Sequence, residues 1–302
     1  MITDKLIEKI IDLQNPTCVG LDTLFDYLPD DMKAGVNSFD GVAERVFDFN
    51  KKLIDTLCDI IPSVKVQIAY YEMYGVAGMK AYEETLKYAA EKDLVVIADA
   101  KRNDIGSTAA CYAKTFLGET DVNGLKKQTF PADYVTVNGY LGTDGIKPFV
   151  DECESKDKGI FVLVKTSNPS GAEIQNQVLE NGVPMYEYMG GLVEKWGEST
   201  IGKYGYSAVG AVVGATHPTE AARLRKVLPH TFFLIPGYGA QGGNAEMLKS
   251  CFGANGLGGV VNNSRGILCA YKKLGGTFYE AARAATAAMQ KDLSSVIGVM
   301  KK

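Results

Sequence analysis

Histidine is scarce in this chain: only His217 and His230 occur among 302 residues. A metal centre built on several imidazoles is therefore excluded, and a Ser–His–Asp triad has little to draw on for its base. Six cysteines are present (Cys18, Cys58, Cys111, Cys153, Cys251 and Cys269), but they are scattered and form no C-x-x-C pair. They read as reduced thiols of a cytosolic protein rather than as a disulfide framework. No run of about 20 apolar residues offers a membrane span. The opening MITDKLIEKIIDLQ is amphipathic and charged, without the apolar core of a signal peptide, so the cytoplasm is the expected location and no membrane partner is expected. Basic blocks are also missing, and the net charge is -4 with a pI of about 5.4. Nothing here favours nucleic acid as a partner. An acidic chain can still hold an anion in a local pocket, so phosphate ligands stay open.

What is present is 46% hydrophobic sequence, arranged in short apolar runs that alternate with longer amphipathic stretches. The runs at 17–22, 64–69, 94–99, 133–138, 159–165, 208–213, 231–236 and 258–263 read as strands. Most lack polar alternation, as strands buried on both faces do. Helical patterns follow near 38–61, 73–92, 104–117, 143–156, 178–203, 217–228, 243–251 and 276–299. In the first, Val42, Val46, Phe49, Leu53, Leu57 and Ile60 repeat at three and four residues, and Ser38 is placed to cap it. Eight strand–helix units predict a single α/β domain over 1–302, a (β/α)8 TIM barrel with an N-terminal and a C-terminal helix. A doubly wound sheet is the structural competitor. Two connections are long, 23–37 and 168–182, and a polar loop after a strand is a candidate lid.

The strongest chemical signal is VVIADAKRNDIGST, residues 95–108. An apolar strand ends in Asp99, Lys101, Arg102 and Asp104, and alternation puts Asp99 and Lys101 on one face. Charges at that face are costly unless paired. A structural ion pair at a strand end is the plain alternative. A second lysine, Lys65 in SVKVQIAYY, lies in another buried strand with Gln67 on the same face. Asp22 ends the first strand in CVGLD. Two lysines and two or three aspartates can then form an alternating network in which each carboxylate keeps its neighbouring lysine charged. Such a lysine is a proton donor or an electrostatic stabiliser, not a Schiff-base nucleophile. Asp104 lies past the strand end and can point across a subunit interface.

Here the sequence resembles a family. DAKRNDIGST resembles the D-x-K-x-x-D-I-x-x-T signature of orotidine 5'-phosphate decarboxylase. CVGLD, SVKVQIAYY, KTSNPSGAE, VVGATHP, IPGYGAQGG and NNSRGI resemble successive barrel segments of its longer bacterial branch, in order along nearly the whole chain. The resemblance implies a carboxy-lyase of de novo pyrimidine biosynthesis, converting orotidine 5'-monophosphate to uridine 5'-monophosphate and CO2 with no metal or organic cofactor. It implies a homodimer with shared active sites. Lys101 matches the proton donor to C6 and Asp99 the carboxylate beside the substrate carboxylate. Lys65 and Asp104 complete the catalytic tetrad, with Asp104, Ile105 and Thr108 serving the partner's site. Asp22 matches a ribose-hydroxyl ligand, and Gln67 joins the substrate side of the second strand. Ser167 matches the pyrimidine contact. Pro236, Gly237, Gln241, Ser264 and Arg265 match the phosphate-binding ends of the last two strands. Gly139 stands where the longer branch is expected to have proline, and Ser264 where glycine is common. A metal-dependent sugar-phosphate lyase or decarboxylase of the same superfamily, and a catalytically silent nucleotide-binding protein, are the alternatives. His217, in ATHPTEAARL, reads as a helix start rather than a catalytic group.

One motif points elsewhere. Gly237, Gly239 and Gly242 satisfy the G-x-G-x-x-G spacing of a dinucleotide turn. A Rossmann turn follows the first strand of its domain and precedes an acidic residue about 20 positions on. This one follows the seventh strand, and 20 positions beyond it stand Asn262 and Asn263. The better reading is a mobile phosphate loop with Gln241 as its gripping side chain.

Overall fold

The computed structural model describes residues 1–239 and 242–301. Eight parallel strands close into a barrel: β1 Thr17–Gly20, β2 Ser63–Gln67, β3 Val95–Arg102, β4 Tyr134–Val137, β5 Gly159–Lys165, β6 Val209–Val213, β7 Phe233–Ile235 and β8 Gly259–Asn263. Each pairs with its sequence neighbours, and β1 closes the ring against β8. The eight predicted strands are all found; β1 and β2 end two residues early, β7 starts two residues late, and β3 runs three residues past its expected end at Asp99. The doubly wound alternative falls, because an open sheet has two edges and this one has none.

The helices lie where the apolar periodicity puts them: α1 Ile2–Leu13, α2 Phe39–Leu57, α3 Gly75–Glu91, α4 Gly106–Phe116, α5 Thr143–Lys156, α6 Met185–Trp196, α7 Pro218–Val227 and α8 Phe278–Ile297. Ser38 caps α2 as expected, its hydroxyl accepting from the Gly41 N–H at 3.1 Å. Such a cap is worth about 1 kcal/mol. His217 occupies the N-cap position of α7. The stretch 178–203 holds a shorter helix than its pattern suggests. Val178 and Pro184 first bridge to each other, and α6 begins only at Met185. The 243–251 stretch is likewise a single turn, Ala245–Leu248, followed by a 3-10 turn.

One element was not anticipated. Thr120–Val122 and Leu125–Lys127 form an antiparallel hairpin between α4 and β4. Its turn is Asn123–Gly124, with φ of 53° and 87°. Both central residues are left-handed, which is what a two-residue hairpin turn demands, and Asn-Gly is its preferred pair.

Two apolar shells result from the period of two in each strand. Val64, Val96, Val135, Val162 and Val261 face outward and pack with the surrounding helices. Cys18, Ile97, Tyr134, Phe161, Leu234 and Val260 face inward. The floor of the barrel is sealed by α1, whose Ile2, Leu6, Ile7 and Ile10 are buried against those inward residues. Each such side chain contributes about 1.5–3 kcal/mol. The Thr3 hydroxyl meets the Tyr134 hydroxyl at 2.7 Å, and the Asp4 carboxylate accepts from the Lys203 and Tyr204 N–H groups. With an apolar, plugged floor, polar inward positions are left for the opposite mouth, at the C-terminal ends of the strands.

Candidate active site

A cavity of about 430 Å³ opens at that mouth. Barrel enzymes carry their chemistry at this end because eight strand-to-helix loops converge there. Asp22, Lys65, Asp99 and Lys101 share its wall. Lys65 is only 4% exposed. Its ammonium sits 2.9 Å from Asp22 Oδ1 and 2.9 Å from Asp99 Oδ2. Lys101 Nζ donates to the other Asp99 oxygen, Oδ1, at 2.6 Å. The row therefore alternates in sign: Asp22, Lys65, Asp99, Lys101.

The electrostatics follow from that order. Burial alone would raise the Asp99 carboxyl. The Lys65 and Lys101 ammoniums outweigh it and hold the group well below the usual carboxylate range. Burial alone would lower Lys65. Asp22 and Asp99 outweigh that and hold it above the ordinary lysine value. Both groups stay charged across the neutral range. A thiol buried in the core near Lys65 and Asp22 is chemically quiet: burial pushes Cys18 up to about 11, so it remains protonated.

Lys101 does not reach this place by simple alternation. The β3–β4 pairing shifts register between Ala98 and Arg102: Ala98 pairs with Val135 and Arg102 with Val137. Three residues of β3 thus oppose the single residue Thr136, a bulge that re-aims the strand. Lys101 takes a left-handed backbone, φ 49°. For a residue with a Cβ this costs about 1–2 kcal/mol, a cost the native packing carries at a site of function.

The remaining wall comes from three other strand ends. Thr166 and Ser167 follow β5, Pro236 and Gly237 follow β7, and Ser264 and Arg265 follow β8. Gly214 lets β6 close on the fifth loop, since a Cβ there would lie 2.7 Å from the Ser167 Cα. Gln175, from the one-turn helix Ala172–Gln175, reaches back to that loop and pairs with both the backbone N–H and the hydroxyl of Thr166. Ser264 ties the mouth together, its hydroxyl donating to the Gly20 carbonyl at 3.0 Å. The glycine loop after β7 adopts φ of 103° at Gly237, 74° at Gly239 and 92° at Gly242. All three lie in the region that residues with a Cβ avoid, which explains the spacing without any dinucleotide. Gln241 lies outside the described residues.

Several expected residues sit elsewhere. Gln67 ends β2, where the chain turns into the short helix Ala69–Glu72, and its side-chain oxygen accepts from the Ala69 N–H. It does not line the cavity, because the alternation that would carry it inward stops with the strand. Asp104, Ile105 and Thr108 are also away from the wall of their own chain. Asp104 accepts from the Ile105 N–H at 2.8 Å, just before α4, and Ile105 is 54% exposed. The tetrad read from the signature is thus three residues of one chain, with Asp22 as the fourth charge.

Thr136, Asn262 and Asn263 line the cavity without having been singled out. The asparagine pair had a signal like that of Asp99: consecutive polar side chains ending a buried apolar strand. Both are under 10% exposed, at 6% and 7%. Thr136 had none, since threonine is at home in any strand.

Comparison with known proteins fits this geometry. The family model described as "Orotidine 5'-phosphate decarboxylase / HUMPS family" matches residues 17–273. The chain belongs to that family. An orotidine 5'-phosphate decarboxylase of Clostridium botulinum is 44% identical over 300 residues, covering 98% of this chain and 100% of the relative. One from Caldicellulosiruptor bescii is 44% identical over 275 residues, 89% of this chain and 90% of its own length. Among solved structures, an orotidine-monophosphate-decarboxylase from Toxoplasma gondii superimposes with a TM-score of 0.82 at 30% identity, over 99% of this chain and 98% of that one. An orotidine 5'-phosphate decarboxylase structure from Streptomyces avermitilis gives 0.79 at 29% identity, over 97% and 95%. The protein is thus an orotidine 5'-phosphate decarboxylase of the longer bacterial type, a carboxy-lyase of pyrimidine nucleotide synthesis. No helix among the described residues is long and apolar enough to cross a membrane.

Proposed function

We propose that the cavity binds orotidine 5'-monophosphate with C6 beside Lys101, the base toward Ser167, the ribose toward Asp22, and the phosphate between Pro236–Gly237 and Ser264–Arg265. The C6–carboxylate bond breaks, CO2 leaves, and the bonding pair stays on C6. That pair lies in the ring plane, where the π system cannot delocalise it. An ammonium fixed near C6 stabilises the charge as it forms and then supplies the proton. Lys101 becomes neutral and regains its proton from solvent. The observation that carries this reading is the Asp22–Lys65–Asp99–Lys101 row, which keeps a charged, aimed lysine at the barrel mouth. Its carboxylates are already matched to ammonium groups, a donor set better suited to an anionic nucleotide than to a divalent cation.

The working unit in this reading is a cytoplasmic homodimer. Asp104, Ile105 and Thr108 complete the partner's site, which accounts for polar and apolar groups presented away from their own cavity. Phosphate binding far from C6 serves turnover by ordering the loops around the base.

The test is complementation. Asp104→Ala and Lys101→Ala subunits should each be inactive alone. Mixing them under conditions of subunit exchange should restore activity, because a hybrid dimer holds one site with both native residues. Subunit exchange shown by mass, with activity still absent, would sink the shared site.

A further inference from the structure

The bulge that delivers Lys101 leaves its backbone N–H without a β4 carbonyl, and a side chain takes over. The Lys101 N–H donates to Thr136 Oγ1 at 3.0 Å. The same hydroxyl donates its own hydrogen to Asp99 Oδ1 at 2.8 Å. Asp99 Oδ1 in turn accepts from Lys101 Nζ at 2.6 Å. The loop of contacts is closed: Lys101 backbone, Thr136 hydroxyl, Asp99 carboxylate, Lys101 ammonium. Thr136 is 1% exposed, so water does not compete for either bond. It is also the single β4 residue opposite the three bulged residues of β3.

We infer that Thr136 is a positioning residue for decarboxylation, whose hydroxyl locks the β3 bulge and with it the direction of the Lys101 ammonium. The inference rests on the proton-donor role given to Lys101. A hydroxyl is needed because the two bonds run in opposite senses. One accepts from a backbone N–H and one donates to a carboxylate, and valine of the same shape can do neither. Serine can do both. Without the hydroxyl the Lys101 N–H is left unpaired at a strained backbone, and the left-handed conformation loses the contact that holds it. Misplacement of a reacting group by about 1 Å costs about 10²-fold in rate.

Thr136→Val, Thr136→Ala and Thr136→Ser, with Lys101→Ala beside them, give the test. The readouts are kcat, the dissociation constant of uridine 5'-monophosphate, and the melting temperature. Thr136→Val and Thr136→Ala should each lose about 10²-fold in kcat while nucleotide affinity stays within about threefold. Thr136→Ser should keep kcat within about fivefold of wild type, whatever small change of melting temperature the lost methyl brings. If Lys101→Ala is inactive and both hydroxyl-free variants turn over at the wild-type rate, Thr136 has no positioning role. A serine variant as slow as the valine one overturns the inference equally. An active Lys101→Ala protein would instead overturn the proton-donor role on which the inference rests. If valine does not fold, the alanine and serine pair decides.

Discussion

Lys101→Ala is expected to lose about 10⁵-fold or more in kcat while still binding uridine 5'-monophosphate and melting close to wild type, combining the ranges for a lost general acid and a lost electrostatic stabiliser. The separation of effects follows from the burial of the row. The Lys101 side chain is 45% exposed at the cavity mouth, so its removal strands no buried charge. Asp99 keeps Lys65 at 2.9 Å and the Thr136 hydroxyl at 2.8 Å. The substrate loses both the cation that meets the developing C6 charge and the proton that quenches it. Steady-state kinetics, product binding by calorimetry and a thermal melt together check this. A near-wild-type kcat removes Lys101 from its role. Loss of nucleotide binding together with a collapsed melting temperature would mark it as structural.

Asp99→Asn carries the second large effect, on both rate and stability. The substitution keeps shape and removes charge. Two ammoniums that shared one carboxylate then face each other across a neutral amide, and Lys65, buried, is left with Asp22 alone. Lys101 loses its tether, so kcat should fall about 10³-fold or more. Breaking one side of a buried ion pair costs about 3 kcal/mol. The pH dependence has a definite sign. Asp99 is held below its ordinary value of 3.8 in the folded protein. Its contribution to stability is therefore present above that value and lost as pH falls below it toward the folded value. The stability gap between wild type and Asp99→Asn should be widest at neutral pH and narrow in acid. Urea denaturation at about pH 7 and at about pH 2.5, below the ordinary carboxylate value, measures it. A gap absent at neutral pH would contradict the stabilising role of the pairing.

The fold was legible because the barrel strands are short, apolar and unbroken, while the helices repeat at three and four residues. Periodicity separates the two without further help. Lys65 and Asp99 were legible for the complementary reason, being charges in runs that otherwise bury everything. The β3 bulge was not. A register shift depends on what the neighbouring strand offers, and nothing local to ADAKR reveals that Lys101 needs a left-handed backbone. Thr136 was hidden in the same way, since its importance lies in what stands opposite it. Alternation puts Gln67 on the cavity face, but it is the last residue of its strand, where the chain already turns into the helix Ala69–Glu72, and it does not line the cavity. The hairpin at 120–127 was readable in principle, with Asn123–Gly124 between Val122 and Leu125, but it falls in a stretch where the barrel pattern expects only a connection. Asp104 lies past the strand end, where alternation no longer binds it to the cavity, and it does not line the cavity of its own chain.

The central claim is that this lysine–aspartate row decarboxylates the nucleotide by itself. Purified protein treated with a chelator and freed of small molecules is mixed with orotidine 5'-monophosphate, and the loss of substrate absorbance is followed alongside formation of uridine 5'-monophosphate. The expected result is full-rate, stoichiometric conversion that added divalent metal does not increase. No conversion, or conversion only after metal is restored, would contradict it.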